Sequence, residues 1–332
     1  MVFTLGPGYI CPMISRDIQS ACDLLRSGRV IGMPTETVYG LAADALNPQG
    51  VAEVYRVKKR PSFNPLILHV ASLAHAQSHA LVFYPQAEAL AKVFWPGPLT
   101  LVLPKKAHIP DQITAGKSTF AVRVPNHPVA LALLEAYPNP IVAPSANLFG
   151  TLSPTSAAHV VRNLGDQVPL VLDGGDCNLG IESTIVGFTP EGIPEVFRLG
   201  SITFDQLKEV CPDILFRPGT HKEVLAPGMY PKHYAPKTPL LVVDRWDEVR
   251  QLSEKYGRIA IVVQEPMPVF ESIPADVFYW SDDPSLVSVA HHFYRVLDQL
   301  DEQNFDLIVT TWFAEQGLGS ALNDKLKRAS YT

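Results

Sequence analysis

The stretch RVIGMPTETVYGL, Arg29 to Leu41, decides how the chain is read. Its first five residues have the apolar pattern of a strand, and a second apolar run begins at Leu41. Between them stand Thr35, Glu36, Thr37 and Tyr39, opened by Pro34 and closed by Gly40. A turn alone would need only a glycine or an asparagine. So dense a polar cluster between two core segments reads as one wall of a binding site.

Working outward, strands and helices alternate unevenly. SRDIQSACDLLRSG (Ser15 to Gly28) reads as a helix capped by Ser15, with Ile18, Ala21, Cys22 and Leu25 as its apolar stripe. PQGVAEVYRVKKR, PQAEALAKVFW, HPVALALLEAY and SPTSAAHVVRNLG read as further helices. PLILHV, LTLVLP, TFAVRVP, PIVAPSA, PLVLDGG, STIVGF and EVFRLG read as strands. Several strands follow one another directly, which predicts an α/β domain around a mixed sheet over residues 1–210. Residues 211–238 are rich in Pro, Lys, His and Tyr, lack periodicity, and read as a linker. Residues 239–332 read as a smaller parallel α/β domain, with LLVVD, RIAIVV, VFYW and FDLIVTTW as strands.

Composition narrows the partners. The 332 residues are 47% hydrophobic and 18% charged, enough apolar content for a sizeable core. The net charge of −6 argues against a protein that lives on nucleic acid. Residues 1–210 hold 15 Lys and Arg against 16 Asp and Glu, so neither part is a basic module. The four cysteines form no C-x-x-C pair, so structural zinc and a disulfide framework are not expected. No signal peptide or membrane-length apolar run is read, and a cytoplasmic protein is expected.

Four constellations carry possible chemistry. In KKRPSFNPL, Lys58 and Arg60 end a helix, where cations favour the partial negative charge of its C-terminus. The same pair could clamp a phosphate. In TFAVRVP, Thr119, Ala121 and Arg123 share one strand face, and an arginine in a core-like strand needs an anion. That anion is either Glu36 or Asp173, or a ligand carboxylate. In IVAPSAN, Ala143 and Ser145 share a face if the strand continues through Pro144; Ser145 and Asn147 could equally be turn and cap residues. DGGDCNLGIESTIV reads as a hairpin or as a loop delivering Glu182, Ser183 and Thr184 to a site. His69 is a lone histidine on an apolar strand. There is no P-loop, nucleophile elbow, H-E-x-x-H or G-x-G-x-x-G motif. An enzyme built this way would work by positioning substrates and neutralising charge.

Taken in order, PTETVYGL, KKRPSFNPL, FWPGPLTLVL, AVRVPNHP, APSAN, SPT, LDGG and ESTIV resemble the YrdC-type domain of the threonylcarbamoyl-AMP synthases. LAPGMYPKHYAP and GLGSALNDKLKRAS resemble the linker and the end of the long, two-domain form. The resemblance implies a twisted open mixed sheet with flanking helices, followed by a Rossmann-like α/β domain. It implies that L-threonine, bicarbonate or CO2, and ATP with Mg2+ give threonylcarbamoyl-AMP and pyrophosphate. A separate transferase system would then carry the group to an adenosine beside the tRNA anticodon. By the same resemblance Thr35, His69, Arg123, Ala143 and Ser183 hold threonine. Lys58, Ser62, Thr119, Ser145, Ser153, Arg198 and Tyr234 surround ATP, and Arg60 and Asn147 meet phosphate or metal. Lys58 and Arg60 are the expected catalytic pair, and no residue is assigned as a protein metal ligand. Two other readings stand beside this one: an RNA-binding or ribosome-maturation protein, and a carbamoyltransferase that handles a carbamoyl-adenylate. Strong direct tRNA binding is not expected.

Overall fold

The computed structural model describes residues 13–217, 233–266 and 275–330, so most of the expected linker, and Cys11, lie outside the described residues. The strands are β1 (Met13–Ser15), β2 (Ile31–Met33), β3 (Gly40–Asp44), β4 (Ile67–His69), β5 (Leu99–Pro104), β6 (Thr119–Arg123), β7 (Ile141–Val142), β8 (Leu170–Leu172), β9 (Thr184–Phe188), β10 (Pro194–Arg198) and β11 (Leu215–Phe216). The C-terminal part adds β12 (Leu240–Val243), β13 (Ile259–Val263), β14 (Asp276–Tyr279) and β15 (Leu307–Thr311). The helices are α1 (Ile18–Arg26), α2 (Pro48–Lys58), α3 (Leu73–His79), α4 (Pro85–Phe94), α5 (Asp111–Thr114), α6 (Pro128–Ala136), α7 (Ala157–Leu164) and α8 (Phe204–Val210). The C-terminal part adds α9 (Glu248–Lys255), α10 (Leu286–Asp301) and α11 (Leu318–Ala329).

The first eleven strands form one mixed sheet in the order β1-β8-β2-β3-β7-β4-β6-β5-β9-β10-β11. The last four form a separate sheet, β12-β15-β13-β14, parallel throughout. Side-chain alternation gives the central strands two unlike faces. Leu66, Leu68, Leu101, Leu103, Phe120, Val122 and Val186 point into the main core. The opposite face carries only a small apolar cluster, Ile67, Val102, Ala121 and Ile185, together with the polar His69 and Arg123. The parallel register of β4 and β6 sets His69 directly beside Arg123.

Several local readings change. Asp17, not Ser15, caps α1, and its carboxylate accepts from the Ser20 amide; such a cap stabilises by about 1 kcal/mol. The strand read through PIVAPSA stops at Val142, because Pro144 has no N–H for a ladder; Ser145 instead bridges Gly40. β8 and β9 are not a hairpin, since β8 pairs with β1 and β2 while β9 pairs with β5 and β10. The helices α3, α5, α8 and α9 were not expected. All are short, from four to eight residues, and offer little periodicity. α8 still carries a readable capping box between Thr203 and Gln206.

The C-terminal elements pack onto the first part. Val38, Leu152, Ile181 and Tyr234 share one buried cluster with Trp280, Phe293, Tyr294, Leu322 and Leu326. His159 on α7 approaches Asp298 on α10 at 3.1 Å, and Arg162 pairs with the same carboxylate. No helix among the described residues is long and apolar enough to cross a membrane.

Candidate active site

The polar cluster of Thr35 to Tyr39 folds back on itself. The Thr37 and Val38 amides donate to Thr35 Oγ1 at 3.2 and 3.3 Å, and Thr35 Oγ1 donates to the Val38 carbonyl at 2.6 Å. Thr37 Oγ1 lies 2.8 Å from Thr35 Oγ1 and accepts from Arg123 Nη1 at 3.0 Å. Tyr39 ties neighbouring motifs together from below. Its backbone joins Pro154 and Ala146, and its hydroxyl donates to the Gly175 carbonyl at 2.8 Å. Gly40 is required where β3 meets the Ala143 segment, because a Cβ there would lie 2.9 Å from the Ala143 methyl.

A cavity opens on the polar face of the central strands. It is lined by Thr35, Thr37, Arg60, His69, Arg123, Ala143, Ser145, Glu182, Ser183, Arg198, His233 and Tyr234 among others. Its volume of about 50 Å³ suits a few waters. Nine of the residues expected at the site line it: Thr35, Arg60, His69, Arg123, Ala143, Ser145, Ser183, Arg198 and Tyr234. Lys58, Asn147 and Ser153 stand behind that lining and bond to it or to each other. Two expected residues stay apart. Ser62 is exposed beside Tyr55 and Phe63 on a different surface hollow. Thr119 shares the strand face of Arg123 but begins β6, about 13 Å away at two residue pairs of strand rise.

The cations of the site have unusual partners. Lys58 is 1% exposed, and its Nζ donates to the Ser145 and Asn147 carbonyls, the latter at 2.7 Å. Burial, followed by the charge of Arg60, holds its pKa well below the usual lysine range. Arg60 donates to Asn64 Oδ1 at 2.7 Å and to the Pro65 carbonyl at 2.8 Å. Burial lowers its pKa to about 10, so it remains charged at neutral pH. No carboxylate lies within ion-pair distance of Lys58 or Arg60 among the described residues. Arg198 donates to the Ser183 carbonyl and to Ser183 Oγ at 2.9 and 3.0 Å. Arg123 differs from Lys58 and Arg60, because Glu36 Oε1 lies 2.7 Å from its Nη2. Asp173 instead lies beside Arg16 at 3.4 Å.

The two histidines of the site and Tyr234 are neutral. His69 has its pKa lowered to about 3 by burial and then by Arg123. Its Nδ1 is 3.2 Å from the Ile67 carbonyl, which assigns the proton there and leaves Nε2 as an acceptor. His233 is held well below its ordinary pKa by burial and by Arg60, Lys58 and Arg198 around it. Tyr234, at φ +65°, is 1% exposed and packs its ring 4.0 Å from that of His233; its hydroxyl makes no hydrogen bond among the described residues.

The sequence assigned no role to His233, which adjoins Tyr234 in LAPGMYPKHYAP, and offered Glu182, which opens ESTIV, only as a neighbour of Ser183 on a candidate loop. Glu182 brings the C-terminal part to the cavity wall. It accepts from Ser153 Oγ at 2.7 Å and from Tyr294 of α10 at 2.8 Å, with Lys325 of α11 at 3.6 Å. Only the fold shows that last connection, since more than a hundred residues separate the partners.

Buried cations facing neutral oxygens, beside one internally neutralised arginine, suit a protein that holds a polyphosphate and a small polar molecule together. That is the arrangement of a nucleotide-dependent synthase. Residues 23–200 match the Sua5, YciO and YrdC family, described as telomere recombination. Residues 202–330 match the C-terminal domain of threonylcarbamoyl-AMP synthase. The chain belongs to the threonylcarbamoyl-AMP synthase family. It is 39% identical to the synthase of Pyrococcus abyssi, covering 94% of each chain. It is 38% identical to the synthase of Bacillus subtilis, covering 94% of this chain and 92% of that one. The structure of P. abyssi Sua5 complexed with L-threonine superposes with a TM-score of 0.86 at 36% identity, covering 94% of each chain.

Proposed function

We propose that this chain condenses L-threonine, bicarbonate and ATP into threonylcarbamoyl-AMP, releasing pyrophosphate and water; with CO2 in place of bicarbonate no water is released. The observation that carries the reading is the burial of Lys58 and Arg60 against neutral partners alone among the described residues. A buried cation without a carboxylate is costly unless an anion visits it. The phosphates of ATP are that anion. Arg123 takes the threonine carboxylate, with Thr35, His69, Ala143 and Ser183 around the rest of the amino acid. The neutral His69 Nε2 accepts from the threonine hydroxyl or amine.

The threonine carbamate oxygen attacks the α-phosphorus. The bond to the bridging oxygen breaks, and pyrophosphate carries away the electron pair. Lys58, Arg60 and Arg198 offset the charge that builds on both sides of that phosphorus. Ser145, Asn147 and Ser153 fix the wall against which the nucleotide lies. Ser62 and Thr119 meet it only where it reaches past the cavity rim. Magnesium would arrive with the nucleotide, with Asn147 and Arg60 beside its phosphates, and would offset their negative charge. Among the described residues no cluster of three histidines, cysteines or carboxylates is placed to hold a metal by itself. The product leaves for a separate transferase acting on tRNA, in the cytoplasm.

His233 and Tyr234 act as a strap over the nucleotide and keep water from the mixed anhydride. Tyr234→Ala should lower the yield of intact product per ATP consumed by several fold. An unchanged yield and unchanged ATP affinity would remove the strap from the mechanism. The activity itself is tested by pyrophosphate release with ATP, Mg2+ and bicarbonate, with and without L-threonine, the adenylate being read by mass spectrometry. Threonine-dependent release with the threonylcarbamoyl-AMP mass is expected. Release that depends on carbamoyl phosphate instead would overturn it.

A further inference from the structure

Glu36 is 4% exposed, and its carboxylate meets Arg123 Nη2 at 2.7 Å. The contact is close but poorly aligned. Neither Glu36 oxygen accepts a hydrogen bond among the described residues, and Nη2 donates none. The pair is therefore a neutralised charge rather than a locked fork, with bonding capacity left on both partners. Among the described residues no second cation lies within ion-pair distance of Glu36. His127, which senses its charge, has its pKa lowered by burial, and burial keeps the nearby Cys177 protonated. Thr37 and the Gly97 carbonyl hold the rest of the guanidinium in place at 3.0 and 3.2 Å.

This divides the site electrostatically. Arg60 presents net positive charge and Lys58 a buried amine that an arriving anion would charge, whereas Arg123 and Glu36 together present a buried dipole with none. A simple anion placed on Arg123 would leave one uncompensated negative charge in a buried pocket. A zwitterion would not, because its ammonium offsets Glu36 while its carboxylate meets Arg123. We propose that Glu36 is a specificity-determining residue that reserves Arg123 for a zwitterionic amino acid and turns simple carboxylates and phosphates away. The proposal rests on Arg123 as the threonine carboxylate site and adds the reason that site does not fill with the other anions the reaction requires.

The test compares L-threonine with 2,3-dihydroxybutanoate, in which a hydroxyl replaces the ammonium, by calorimetric titration of the full chain. The parent should bind threonine and prefer it strongly. Glu36→Gln should reduce that preference at least tenfold, weakening threonine and strengthening the hydroxy acid. Glu36→Asp keeps the charge and should keep most of the preference; if the glutamine variant fails to fold, the aspartate variant and titration of the parent with inorganic phosphate decide. Phosphate competing with threonine on the parent protein would overturn the proposal. So would an equal weakening of both ligands, or no change, in Glu36→Gln. A parent protein that binds no threonine would remove the functional reading itself, and this proposal with it.

Discussion

His69 shows what one buried residue does to the whole stability curve. In the folded chain it stays neutral down to about pH 3, whereas in the unfolded chain it takes a proton near pH 6.5. The unfolded state therefore binds more protons between those values, and stability rises with pH there. Each unit of acidification below about 6.5 should cost up to ~1.4 kcal/mol from this group. Urea midpoints measured from pH 7 to pH 4 should fall, and His69→Gln should flatten the fall. An equal slope in parent and variant would show that the histidine is not buried as described. The single histidine in PLILHV carried no such message in the sequence. A core histidine and a site histidine look alike until the register places one beside Arg123. Arg123 was more legible, because an arginine between small residues on a strand must find an anion; the sequence left Glu36 and Asp173 as equal candidates, and only the fold separates them.

Among the elements, the meeting of β3 with the segment after β7 is the tightest joint at the site. Gly40 leaves no room for a side chain against the Ala143 methyl. Gly40→Val should destabilise by about 1–3 kcal/mol through overpacking, and it should raise the threonine KM more than the ATP KM, because Ala143 would move. Equal stability in denaturant would contradict the close packing. Long strands with strict alternation, such as LTLVLP and TFAVRVP, were readable because one face is wholly core. PIVAPSA was misjudged because its proline ends the ladder while the residues beyond it still line the cavity. STIVGF was readable as a strand, which β9 bears out, but its place in the sheet was not, since β8 pairs with β1 and β2 while β9 pairs with β5 and β10.

Across the whole molecule, the C-terminal part is joined to the site through Glu182. Tyr294 donates to it, Lys325 stands 3.6 Å away, and the ammonium of Lys325 lies 5.6 Å from the centre of the Tyr234 ring. Tyr294→Phe removes those hydrogen bonds without changing the packing, and should slow adenylate formation about tenfold while shifting thermal stability by only a few degrees. Full activity in that variant would mean that the C-terminal part contributes packing alone. The two sheets were legible from strand patterns, but the sequence has no signal for which helix of the second part would reach the first.

The site divides its labour between Lys58 and Arg60, which have no carboxylate partner among the described residues, and the neutralised Arg123. This division is tested most directly by titrating ATP and L-threonine separately into the parent protein, Lys58→Met and Arg123→Met. A crossed pattern is expected: Lys58→Met loses at least tenfold in ATP affinity and keeps threonine, whereas Arg123→Met loses threonine and keeps ATP. Loss of both ligands in each variant, or the reverse assignment, would contradict it.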